Sequence, residues 1–215
     1  MRERFLIGRL TVPSFFVMRK IILLVVFLLF QRIQAQDFYN ERWFFHSDIS
    51  LNISPESKSI YSYATNDLDK QKGIYGKDIN LKTKPIYSTD FSVNYILSKS
   101  ISVGALTGIN HFRNPVATAL KVGGIVRLFM DKDSYNTDIF GQLSGFIPLS
   151  KKVKASLGEA KLGLSIPITE EDNFAVAVLL HIAYIRYDVA VPILGNEIPD
   201  IVEYRSVGLG FSIRF

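Results

Sequence analysis

Between Trp43 and Phe215 apolar and polar residues alternate in eight separate runs. The first presents Trp43, Phe45, Ile49, Leu51 and Ile53 on one face, the second Tyr87, Phe91, Val93, Tyr95 and Leu97. Ile101, Val103, Ala105 and Ile109 mark the third, and Leu120, Val122, Val126, Leu128 and Met130 the fourth. In the fifth, Ile139, Leu143 and Ile147 compete with Phe140 and Phe146 on the opposite parity. Leu162, Leu164, Ile166 and Ile168 form the sixth, and Phe174, Val176, Val178, Leu180, Ile182 and Tyr184 the seventh. The eighth ends the chain, with Val207, Leu209, Phe211, Ile213 and Phe215 against Ser206, Gly208, Gly210, Ser212 and Arg214. A period of two is the mark of a strand with two unlike faces. No segment after Gln36 sustains the i, i+3, i+4, i+7 spacing of an amphipathic helix. The pattern predicts an all-β chain of eight antiparallel strands.

The connections alternate in length. Ser98–Ser100, Asp131–Asn136 and Thr169–Asn173 are short and rich in turn formers. Pro55–Pro85 and Asp188–Ile201 are long, and Arg113–Thr118 and Pro148–Gly158 lie on the same side. Short turns on one side and longer loops on the other are the layout of an up-and-down transmembrane β-barrel. A soluble, lipocalin-like barrel alternates too, but its outer face must carry many charged and hydroxyl side chains to stay solvated. Here the second face is small: Ser102, Gly104, Gly108 and Asn110 on the third strand, Ser206, Gly208, Gly210 and Ser212 on the eighth. Small residues suit the narrow interior of an eight-stranded barrel. Closure would also pair the last strand with the first, removing an apolar edge that water would not tolerate.

Charge changes the picture only at the amino terminus. The chain carries +5 overall, but residues 1–35 hold Arg2, Arg4, Arg9, Arg19, Lys20 and Arg32 against Glu3. Removing them from the 25 basic and 20 acidic residues leaves 19 of each, so residues 36–215 are neutral and carry no electrostatic footprint for nucleic acid. Arg19 and Lys20 precede ten unbroken apolar residues, Ile21–Phe30, and Ala35 offers a small residue for cleavage before Gln36. That order reads as a secretory signal over 18–35, with Met18 as the expected true start and 1–17 as an over-extended beginning. Ten residues fall short of the roughly 20 that span a bilayer as a helix. Cysteine is absent, which excludes disulfides and thiolate metal sites.

With an Ala-Gln junction, eight alternating segments and a terminal Phe215, the chain resembles the small outer-membrane β-barrels of Gram-negative bacteria, the porin-like or OmpX-like barrels of Bacteroidota. The resemblance covers about residues 36–215. It implies an outer-membrane location, lipid as the surrounding partner, and no cofactor. It also implies that Leu209, Phe211, Ile213 and Phe215 match the signal read by the barrel-assembly machinery, with periplasmic chaperones as partners on the way. Some barrels of this look are thought to serve a secretion apparatus.

On the assigned parity Asp48, Asp90, Lys121, Arg127, Glu159 and Lys161 face the lumen. Three acids and three bases at matching depths predict a paired network, because an unpaired charge in a tight interior is costly. The structural reading is a neutral plug, and the functional one a narrow ion path or gate. His46, His111 and His181 lie on different strands with no cysteine near, so no metal site is expected. His46-Ser47-Asp48 is no triad, since on a strand Ser47 points away from its neighbours. The His-x-Ser arrangement of barrel deacylases is missing, and no enzymatic activity is expected. Trp43, Phe44, Phe45, Tyr184 and Tyr187 are expected in interfacial girdles. The loop 55–85, with Tyr61, Tyr63 and Tyr75 among six lysines and four acids, is the expected place for any extracellular ligand. The expected role is non-enzymatic, structural or in surface interaction, with a narrow passage or carrier for small or hydrophobic solutes as the alternative.

Overall fold

The computed structural model describes residues 42–55, 58–65, 71, 79–82, 84–113, 115–130, 137–171 and 174–215. The expected leader, 1–35, the turn Asp131–Asn136 and Tyr75 lie outside the described residues. Within the described residues the alternating runs form strands, as their β-branched and aromatic content favours. They are β1 (Trp43–Ile53), β2 (Lys58–Ala64), β3 (Ile79–Lys82), β4 (Ile86–Ser98), β5 (Ile101–Arg113), β6 (Val116–Phe129), β7 (Asp138–Pro148), β8 (Val153–Glu171), β9 (Phe174–Val189) and β10 (Ile198–Arg214).

All pairings are antiparallel. Strands β4 to β10 pair in sequence order, and β1 pairs with β4 on one side and β10 on the other. Ser47, for example, faces Phe91 of β4 and Ile213 of β10. The backbone groups of β10 are thus engaged on both sides, through β9 and β1.

Ten strands are present among the described residues where the alternation predicts eight, and two of them fall in the expected loop. The expected loop Pro55–Pro85 contains β2 and β3, which pair with each other, while β2 also pairs with the upper part of β10. Paired residue numbers add to 138 along β1 and β4 and to 140 along β2 and β3. The β2–β3 hairpin is therefore the β1–β4 hairpin continued past an irregularity that shifts the register by two. That irregularity also flips the parity: even residues from Phe44 to Ser54 are buried, whereas beyond it Ser59, Tyr61 and Leu81 are.

The two faces are unlike. Residues on one face are buried inside the ring of paired strands, and on β1 these are Phe44, His46, Asp48, Ser50 and Asn52. The other face is aliphatic and open: Ile49 is 65% exposed, Leu143 69% and Leu209 55%. In β7 Phe140 and Phe146 point inward and Leu143 and Ile147 outward, which resolves the competing parities. Toward the end with the longer connections the interior becomes apolar. Tyr61, Ile86, Phe112, Phe146, Ile185, Tyr187, Val202 and Tyr204 pack there, with the rings of Phe112 and Tyr187 4.4 Å apart. A smaller inner cluster joins Leu106, Ile125, Phe140 and Leu179.

Candidate functional site

The six lumen charges expected from the alternation all lie inside, and the structure gathers them in two groups. Lys121, on β6, stands 2.5 Å from Asp90 Oδ1 of β4 and 2.7 Å from Glu159 Oε2 of β8. Lys161, two residues along β8, is 3.1 Å from Asp90 Oδ2 and 3.6 Å from Glu159 Oε1. Two acids and two bases thus close into a neutral ring bridging non-adjacent strands. Lys121 also donates to Ser88 Oγ at 2.8 Å, and Ser88 in turn to Asn110 Oδ1 at 2.7 Å. Lys121 is 0% exposed and Glu159 2%, so each charge depends on its partners rather than on water.

The second group lies nearer the short-turn end. Arg127 of β6 donates from Nη1 to Asp138 Oδ1 at 3.0 Å and has Nη2 3.7 Å from Asp48 Oδ2. Its guanidinium also sits 5.4 Å from the centre of the Phe140 ring. Below it Arg214 lies 4.1 Å over Phe44 and 5.7 Å from Phe129.

Glycines make room for these groups. A Cβ on Gly108 would overlap the Asp90 carboxylate, and one on Gly208 would overlap the imidazole of His181. The His181 imidazole pairs through Nε2 with Asn52 Oδ1 at 2.8 Å. The small residues of the second face are thus the space into which large charged neighbours extend.

Ser47 does face away from His46 and Asp48, but Ser212 of β10 joins them. Its hydroxyl donates to Asp48 Oδ1, and its oxygen lies 2.8 Å from His46 Nδ1. The serine stands between acid and imidazole, so its proton is directed at the carboxylate and not at the base that a nucleophilic serine requires. Ser212 is 1% exposed, which leaves a substrate no approach. His111 is separate, bonded to Thr118 at 3.1 Å. Among the described residues no three of His, Asp and Glu gather as metal ligands.

Two of the expected girdle aromatics are misplaced. Trp43, Phe45 and Tyr184 lie on the outer face, but Phe44 and Tyr187 are buried inside, under Arg214 and against Phe112 respectively. The parity of each strand dictates this, since Phe44 shares a face with His46 and Tyr187 with Ile185. Outer partners that the alternation contained but that were not assigned to girdles are Tyr95, tilted against Trp43 with ring centres 4.8 Å apart, and Phe91, stacked at 6.1 Å on Phe45. Asp138, Ser88 and Arg214 also belong to the interior sites without having been named among the lumen charges or their partners, and Ser212, expected on the inner face, joins them. Asp138 follows from β7 once Phe140 is turned inward, and Arg214 from the inner parity of β10. Leu209, Phe211 and Ile213 lie on the outer face of β10.

At the long-loop end Glu197 ties the 190–197 connection to β2. Its Oε1 accepts from the Tyr61 hydroxyl at 2.9 Å and from the backbone N–H groups of Ile193 and Leu194 at 2.5 and 2.8 Å. Burial alone would raise this carboxyl, but the Leu194 N–H and the other donors hold it below the ordinary glutamate value.

No protein-family model matches the chain, and no curated protein matches it. Among solved structures it is similar to a de novo designed transmembrane β-barrel at 10% identity and a TM-score of 0.41, over 80% of this chain and 95% of that one. It is also similar to the outer membrane protein AlkL, solved by solid-state NMR in lipid bilayers, at 9% identity and a TM-score of 0.43, over 84% of this chain and 94% of that one. Likeness of this degree leaves the functional reading to the chain's own faces and charges.

Proposed function

We propose that the chain is an eight-stave transmembrane β-barrel of an outer membrane, exported through a cleaved leader, non-enzymatic, and closed to general diffusion. In this reading β2 and β3 are the upper parts of the staves begun by β1 and β4, the short turns are periplasmic and the longer connections extracellular. The observation that carries it is the reversal of a soluble protein's arrangement. Lys121, Arg127, Glu159 and Asp90 are buried, while Ile49, Leu143, Ile182 and Leu209 are exposed. In water that distribution would expose a continuous aliphatic belt far beyond what monomers carry; in lipid it is the expected one.

The filled lumen supports a structural or surface-interaction role. Its middle is occupied by the Asp90–Lys121–Glu159–Lys161 ring, and its upper part by the Phe112–Tyr187 cluster. That apolar upper part is also the feature that favours the second reading, passage or carriage of a hydrophobic solute. Electrophoresis of unboiled and boiled protein from purified outer membranes tests the barrel; a mobility shift on boiling is expected, and a soluble periplasmic protein with no shift would overturn it. Planar-bilayer recording tests closure. Silence is expected, while steady openings of reproducible size would assign the lumen to passage.

A further inference from the structure

At the short-turn end the interior holds a small cavity of about 20 Å³, lined by His46, Asp138, Ser165 and Arg214 together with Ala175 and Ala177. Strand register creates it. Arg214 of β10 faces Ala175 of β9, and Ser212 faces Ala177, which faces Pro167 of β8 in turn. Both alanines are buried, and their methyl groups fill little of the width between the longer side chains. His46 stands opposite Arg214 across β1 and β10, and Asp138 opposite Ser165 across β7 and β8. One water needs roughly 10–15 Å³ and two to four polar partners. A space this small puts every lining group within reach of a single molecule.

The order of donors and acceptors fixes what can sit there. The Ser212 hydroxyl donates to Asp48, so the 2.8 Å contact between its oxygen and His46 Nδ1 is donated by the imidazole. A neutral imidazole that donates from Nδ1 carries a lone pair and no proton on Nε2. His46 is 2% exposed, and its Nε2 meets no hydrogen-bond partner among the described residues. With Nδ1 committed to Ser212, Nε2 is the ring nitrogen left to meet a ligand, and a buried acceptor is costly without a donor. Its lone pair repels an anion. Arg214 lines the same space, and its charge repels a metal cation. A small neutral molecule that both donates and accepts fits, and that is water.

We propose that this cavity binds one water molecule, which donates to His46 Nε2 and to the Asp138 carboxylate, with Ser165 and Arg214 as the donors around it. The water closes a loop. From Asp48 the contacts run through Ser212, His46, the water and Asp138 to Arg127, whose Nη2 returns to Asp48 Oδ2 at 3.7 Å. The serine bridge and the arginine group thereby become one network. The site depends on the interior alone and not on what surrounds the outer face.

The test is solid-state NMR of the full chain carrying nitrogen-labelled histidine, in vesicles or sedimented from solution if it does not insert. H46Q assigns the His46 signals by their loss. Magnetisation that starts on water is expected to reach His46 Nε2, and the shift of that nitrogen should be that of an unprotonated one. A177V fills the cavity and leaves every polar group in place; it should lose the transfer to Nε2 while Nδ1 keeps its proton. A175V serves as a second filler if A177V lacks the mobility shift on boiling. Absence of transfer to Nε2 in the wild type, or a transfer unchanged in a filler variant that folds, would overturn the site. So would an Nε2 that carries the proton, which fits an anion beside Arg214 instead. A wild-type protein that keeps the transfer but shows no shift on boiling would remove the barrel reading and leave the water.

Discussion

Lys121 is fully buried with two carboxylates within 2.7 Å, so its charge is balanced by Asp90 and Glu159, with the Ser88 hydroxyl as a further acceptor. Lys121→Met would leave Lys161 to neutralise both acids. Breaking a buried pair from one side costs about 3–5 kcal/mol, because the other charge stays behind. Urea unfolding in vesicles should show a loss of that size. K121M/E159Q should lose less than the sum of the single variants, since the two groups are in contact. An unchanged unfolding profile for K121M would count against the network. The glycines offer a second check at this scale. Gly208→Val pushes into His181 and should cost about 1–3 kcal/mol by overpacking and by loosening the Asn52 bond. Nothing lies within 4 Å of a Cβ placed on Gly141, on the outer face, so Gly141→Ala should stay within about 0.5 kcal/mol.

At the scale of elements, the Glu197 carboxylate ties the 190–197 connection to β2. Glu197→Ala removes the acceptor for Tyr61, Ile193 and Leu194 together and should expose Leu194 and Gly195 to a broad-specificity protease. The pH dependence follows from the sign of the shift. Because Glu197 is held below the ordinary glutamate value, its contribution is complete above that value and is lost as the pH falls through the depressed one. Protection of the loop should therefore be flat from neutrality down to about pH 5 and decline only in stronger acid. A decline already near pH 6 would contradict the assignment. The alternating runs and their antiparallel β character could be read directly, as could the inward side of all six charges, because a period of two ties every side chain on a strand to one choice of face. The β2–β3 hairpin could not. Its segments, Lys58–Ala64 and Ile79–Lys82, are short, set among lysine, asparagine and glycine, and out of phase with β1 and β4. Phe44 and Tyr187 were misplaced for a different reason: their height at a strand end suggested a girdle, while their parity already pointed inward. Asp138 stayed hidden behind the two aromatic parities of β7, which only packing inside the ring decides.

Among the described residues the usual order of polar and apolar matter is reversed, and the proposed function takes a membrane as the solvent that matches it. Trp43, the only tryptophan, sits on the outer face at the short-turn end beside Tyr95, where an aromatic girdle would lie. Its fluorescence in vesicles should be quenched more by lipids brominated near the headgroup than by lipids brominated near the chain end. The opposite ranking would place β1 at the wrong depth. Since the chain has no cysteine, single cysteines can be introduced without background. The decisive measurement is depth-dependent quenching of a bimane label at Leu143→Cys, Leu162→Cys and Leu209→Cys, each outward and more than half exposed, in vesicles containing nitroxide lipids. Strong quenching by chain-positioned nitroxides at all three sites is the expected result. Labels that nitroxide lipids do not reach, on protein that stays in solution, would show that the aliphatic face does not meet acyl chains.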